Sequence, residues 1–179
     1  MHEPLEALLR GGDPRQLKGV SRAVNDVQHD LSLLPQLVAL LDHTDALVRM
    51  RAADALEKIS RTQPAALEPH RHDLLRLATT TTQASLRWHL AQLIPRLPLA
   101  TAERRAMFNV FKGYLDDKSA VVKATAMQAM TDFAFADPAL RRIVIPLLRA
   151  LVARGTPAVR VRGSWLLEIL GARAVPRSR

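Results

Sequence analysis

Four dipeptides constrain this chain more than any other feature. Val48-Arg49, Leu86-Arg87, Val122-Lys123 and Val159-Arg160 recur at separations of 38, 36 and 37 residues. Under that register Ala52, Leu90, Ala126 and Gly163 share a column, as do Leu56, Ile94, Met130 and Leu167, and Ile59, Leu97, Phe133 and Leu170. A repeat of this length holds one pair of helices, and such a pair cannot bury its apolar face alone. Copies must therefore cover one another, with small residues in the first column letting neighbouring helices approach and bulk in the third filling the base.

The stretch from Leu37 to Ile59 is the clearest copy. It reads as an apolar helix, a break at His43, Thr44 and Asp45, and a second helix carrying Val48, Ala52, Ala55, Leu56 and Ile59. At about 100° per residue those five side chains fall within one arc. Aligning the rest of the chain on it gives about five helical hairpins, at residues 3–29, 31–61, 64–97, 101–136 and 137–171, forming a single domain over 1–171 with a basic tail at 172–179.

Local signals mark the joints. Gly11-Gly12 breaks the first hairpin, and Asp13-Pro14 is a helix start with proline at its first position. Pro35 lies early in a helix, where a missing N–H costs little. The run Thr79 to Gln83 is expected to form a turn with a Thr cap, and Pro95 to bend or end its helix. Thr101 resembles a capping-box start, although Glu103 falls two rather than three residues on. Further breaks are expected at Asp116-Asp117 and at Gly155-Thr156-Pro157. The first hairpin fits the register poorly, as an end unit facing water should.

The pattern of Leu40-Leu41-Asp42, a short polar turn, then Val48-Arg49 and an Ala-rich helix resembles HEAT repeats, with Leu115-Asp116 and Val122-Lys123 the next best match. The resemblance covers nearly the whole chain. It implies an all-α, right-handed α-α superhelix in which second helices line the inner surface and the turn Asp and helix Arg bond along the stack. Thr80 and Ala153 replace that Asp in the third and fifth units, leaving Arg87 and Arg160 without it. The family serves as scaffolds and as transport and assembly factors, and one branch acts as DNA glycosylases, so the fold alone does not name a function.

Composition narrows the classes. The 179 residues include no cysteine, which removes disulfides, thiolate metal sites and Cys nucleophiles and fits a reducing compartment. Apolar runs are broken well short of a membrane span and no signal-peptide pattern opens the chain, so a cytoplasmic protein is expected. Net charge is +9, and all of that excess falls in residues 91–179, whereas residues 1–90 balance. The excess either solvates the surface or meets an anionic partner.

Candidate contact residues follow from the columns. Positions aligned with Met50 and Asp54 point away from the buried arc and contain both tryptophans, Trp88 and Trp165. Exposed tryptophan is enriched at binding centres, although a neighbouring helix or the tail could equally cover it. Basic columns flank them: Arg49, Arg87, Lys123 and Arg160 on one side, and Arg51, His89, Thr125 and Arg162 on the other. Trp88, Trp165, Arg87, Arg160, Arg162, Arg51 and His89 are thus the expected partner-binding residues, suited to a protein with an acidic surface or, alternatively, to DNA.

No catalytic motif, cofactor or metal is expected. Pro69 interrupts the cluster Glu68, His70, His72 and Asp73, and His70 points away from His72 on a helix, which disfavours a shared ion. Glycosylase chemistry would need a carboxylate beside aromatics, and Glu168 after Trp165 is the one such pair on a single helix. Oligomeric state is left open, with self-association through exposed ends, or membership of a longer array, as a third possibility.

Overall fold

A computed structural model describes residues 3–13, 17 and 19–171. The described residues are all-α. Helices α1 (Leu5–Leu9), α2 (Val20–His29), α3 (Leu34–Ala39), α4 (Ala46–Thr62), α5 (Arg71–Thr80), α6 (Ala84–Leu93), α7 (Thr101–Gly113), α8 (Ala120–Ala136), α9 (Pro138–Arg154) and α10 (Pro157–Ile169) pair successively as a helical-repeat solenoid. They divide into two compact units, Met1–Pro98 and Leu99–Arg179. The start expected at Asp13-Pro14 falls partly on Pro14, and the basic segment on 172–179; both lie outside the described residues.

In the first unit α4 is the hub, packed against α1, α2, α3 and α6. Every residue from Arg51 to Glu57 is buried, a full turn and more of helix with no solvent-facing side. In the second unit α8 packs on α7, α9 and α10, and α9 pairs with α10. The aligned columns are core in both units: Val48, Leu86, Val122 and Val159 are buried, as are all members of the three columns that begin at Ala52, Leu56 and Ile59. Phe111 stacks on Phe133 with centroids 5.9 Å apart, joining α7 to α8 at the base of the second unit. Gly163 sits where a Cβ would lie 2.7 Å from Val152 Cγ2 and 3.2 Å from Met127 Cε, so its small size permits the α8, α9, α10 approach.

The joints show the chemistry that starts and stops helices. Asp45 accepts from Leu47 N at 2.8 Å and Asp137 Oδ1 from Ala139 N at 2.9 Å, each satisfying a donor that the first turn leaves free. Pro95 ends α6, and the chain continues as a 3-10 turn over Ile94–Arg96. Two expectations shift by a residue or more. The cap of α7 is Ala100 rather than Thr101, so Glu103 falls at the proper third position and accepts from Ala100 N at 2.8 Å. Thr79 and Thr80 belong to α5, and the cap of α6 is Gln83, whose N–H donates to Thr81 Oγ at 3.2 Å.

Candidate functional site

The expected contact residues separate according to what lies beside each second helix. Arg51 is not on an open face. Its side chain is 0% exposed, and its Nη1 donates to the carbonyls of Leu9 (2.8 Å) and Gly11 (2.6 Å) while Nη2 donates to that of Asp13 (3.1 Å). These carbonyls close the end of α1 and the glycine turn after it, where no helical N–H is available to satisfy them. Arg51 therefore ties the first hairpin to the second. His89, on α6, is also buried rather than presented to a partner. Burial pushes its imidazole below the ordinary value of 6.5, partly opposed by the carboxylates of Asp54 and Glu57 on α4. Both residues belong to one column, and in both the helical wheel misleads for the same reason: that column faces the preceding helix.

In the first unit the Arg column serves its own turn. Arg49 Nη1 donates to the carbonyls of His43 (2.6 Å) and Thr44 (2.9 Å), and Nε to Gln83 Oε1 (2.8 Å). Arg87 repeats the arrangement one hairpin later, with Nε donating to Thr81 O at 2.9 Å. The Asp-Arg bond implied by family resemblance is replaced here, because Asp42 pairs with Arg76 of α5 at 3.0 Å. Arg87 is thus engaged with backbone, and half-buried Trp88 leans on the His89 ring with centroids 5.4 Å apart.

Sequence columns did not reveal a charge network beneath these residues. Glu57, 1% exposed, accepts two hydrogen bonds from Arg61 Nε, one from Arg61 Nη2 at 2.8 Å and one from Arg96 Nη1 at 2.8 Å, and Arg96 also reaches Ser60 Oγ at 2.9 Å. Burial alone would raise the Glu57 carboxyl, but the Arg61 and Arg96 guanidinium groups outweigh it and hold the value below 4.5. Asp54, expected to point outward, is buried and paired with Lys58. The network joins α4 to the turn after α6 and is fully occupied with that task. Glu68 and Asp73, from the earlier cluster, pair with Arg71 and Arg76.

The second unit differs. Pro157, Val161, Trp165 and Ile169, four residues apart, form one stripe along α10 on the side away from α8 and α9, and all four are exposed. Val161 is 73% exposed and Trp165 46%, and with Pro157, Ala158 and Arg162 they line a shallow open depression. Arg162 lies with Cζ 4.6 Å from the Trp165 ring centroid, and its Nη2 donates to Gln128 Oε1 on α8 at 2.6 Å. Arg141 donates to the carbonyl of Leu170, closing the far end of the helix. Between Asp137 and Glu168 the sequence holds six arginines and no acid, so the α9–α10 hairpin is cationic as well as partly apolar. Arg160, half-exposed, has no side-chain hydrogen bond or ion pair among the described residues, and Glu168 is exposed at the C-terminal end of the stripe. The spacing of Pro157, Val161, Trp165 and Ile169 was the signal that could have singled out this face.

Among the described residues, no helix is long and apolar enough to cross a membrane. No curated protein matches the chain in sequence. The sequence model of the HEAT repeat domain matches residues 13–131, which covers more than half of the chain. Repeats of this kind generally act as protein-interaction scaffolds and are generally non-catalytic. With paired helices in a common register and that match, the chain belongs to the HEAT repeat family.

Proposed function

We propose that the protein is a non-catalytic protein-binding scaffold whose main contact is the outer face of α10. In this reading Trp165 and Val161 supply the apolar anchor, and Arg160 and Arg162 pair with acidic groups on the partner. The exposed Trp165 on a continuous apolar stripe is the observation that carries it, because large aromatic side chains concentrate in the centres of binding surfaces. Arg162, tethered to Gln128 of α8, supports it by lying over the face of the indole, which reduces the freedom lost on binding. Trp88 holds a secondary place, since its ring is half-buried beside His89, and Arg87 is bonded to its own turn.

The cationic hairpin keeps DNA as the second reading, through phosphate contacts rather than the indole. One experiment separates them. Affinity capture from native lysate with the intact chain and with Trp165→Ala is compared beside titration of duplex DNA at low and physiological salt. A partner retained by the intact chain, lost with Trp165→Ala and little affected by salt supports protein binding. Capture that is unchanged by Trp165→Ala overturns it, and DNA binding that collapses with salt establishes the second reading.

A further inference from the structure

The helices of the two units obey a common rule of contact. The column of His89 and Arg162 faces back to the preceding second helix, at the column of Asp54 and Gln128: α6 packs on α4, where buried His89 feels the Asp54 charge, and Arg162 of α10 donates to Gln128 of α8. In this register the next member of the Asp54 and Gln128 column is Trp165. Its side of α10 is therefore the side against which a further second helix would pack, and no described helix covers it. A position that is buried in α4 and half-buried in α8 is exposed in α10, and the residue there is apolar.

Charge decides what fits. A second copy would bring two hairpins together, each with six arginines between Asp137 and Glu168 and no acid, and like charges in an apolar contact are strongly disfavoured. The residues after Gly171 carry three arginines and no acid, so charge does not favour them on this face either. In the first unit α2 offers no apolar match, because it turns the polar side chains of Ser21, Arg22 and Asn25 outward.

We infer that the outer face of α10 receives an amphipathic α-helix of acidic character from a partner protein, docked in the place of the next second helix. This rests on the protein-binding reading and specifies its ligand. The docked helix sets apolar residues at three- and four-residue spacing over Val161, Trp165 and Ile169, with its acids beside Arg160 and Arg162. Backbone hydrogen bonds stay within that helix, so recognition comes from side chains alone.

The test is a yeast-displayed library of about 14-residue peptides, long enough for four turns, with apolar, acidic, basic and proline-containing members. It is selected for binding to the full chain and counter-selected on Trp165→Ala, with Val161→Glu as a second variant and circular dichroism confirming that both fold. The expected survivors are net acidic, show helical apolar spacing, and lose about tenfold or more in affinity when proline is placed mid-peptide. Survivors that are neutral or basic, or that tolerate proline, overturn the assignment of an acidic helix while leaving Trp165-dependent protein binding in place. An absence of Trp165-dependent survivors overturns it too. A solution mass that rises with concentration and returns to monomer in Val161→Glu would make a second copy the occupant and likewise overturn it.

Discussion

Arg162 Nη2 donates to Gln128 Oε1 at 2.6 Å while its Cζ stands 4.6 Å from the Trp165 ring centroid. One side chain thus holds α10 to α8 and supports the indole that α10 presents to solvent. The pair shows the division that runs through the protein. Basic residues facing the preceding helix hold the repeats together, whereas the next column is available only where no further helix covers it.

Arg51 is a structural residue, so its removal should cost stability and spare binding. Arg51→Met leaves the carbonyls of Leu9, Gly11 and Asp13 without their donor, and a loss of about 2–3 kcal/mol is expected. Arg160→Ala, at a half-exposed side chain with no hydrogen bond or ion pair among the described residues, should stay within about 0.5 kcal/mol of the parent. Urea unfolding of the two variants checks the contrast; equal midpoints would contradict it.

Acid should weaken the fold in two stages. The folded His89 value lies below 6.5, so the unfolded chain takes up a proton near that pH when the folded chain does not. Its contribution is complete above 6.5 and declines as pH falls from there towards the folded value. Glu57 is also lowered in the fold, so the stability it provides is complete above 4.5 and is lost as pH falls through its folded value. Urea midpoints measured across pH should therefore begin to fall below about 6.5 and fall further below about 4.5. His89→Asn should remove the upper stage and keep the lower.

Gly163→Ala tests the close approach of the last three helices. Alanine gains about 1 kcal/mol of helix propensity over glycine, but overpacking costs about 1–3 kcal/mol. The Cβ would press on Val152 Cγ2, a short branched chain with little room to yield, so a net loss of up to about 2 kcal/mol is expected in a thermal or urea melt. A stabilised variant would show that the contact is looser than described.

Trp165→Ala should separate binding from folding. The exposed indole contributes mainly its cation–π contact with Arg162, about 0.5–1 kcal/mol at an exposed site. Partner affinity should drop by about 2 kcal/mol or more if the indole is the anchor, roughly thirtyfold. Calorimetric binding and a thermal melt on the same variant read the two quantities.

Most of the architecture was legible because burial repeats. Val48, Ala52, Leu56 and Ile59 define a face that recurs from α6 into the turn after it, in α8 and in α10, and every aligned residue is buried. Pro95, Asp137-Pro138 and Gly155-Thr156-Pro157 mark real ends because the missing N–H or the free backbone acts locally. The candidate site was legible only in part. A wheel assigns one buried arc to a helix, but α4 has neighbours on several sides and α6 packs against it, so Arg51 and Asp54 of α4 and His89 of α6 are covered although the wheel sets them off the core. The identity of Arg49 and Arg87 as turn-bonding residues depends on where their carbonyl partners fold, which spacing does not encode. Trp165 was readable as an outward position, but the same column is buried at Asp54, and only the packing around each helix distinguishes them.

The most direct test of the central claim is acrylamide quenching of Trp165 fluorescence in a Trp88→Phe background, read at protein concentrations that span the dilute range. The account predicts strong quenching and red-shifted emission, unchanged on dilution, from an indole open to water on the outer face of α10. Blue-shifted emission with little quenching in the isolated chain would mean that the face is already covered and would contradict the account.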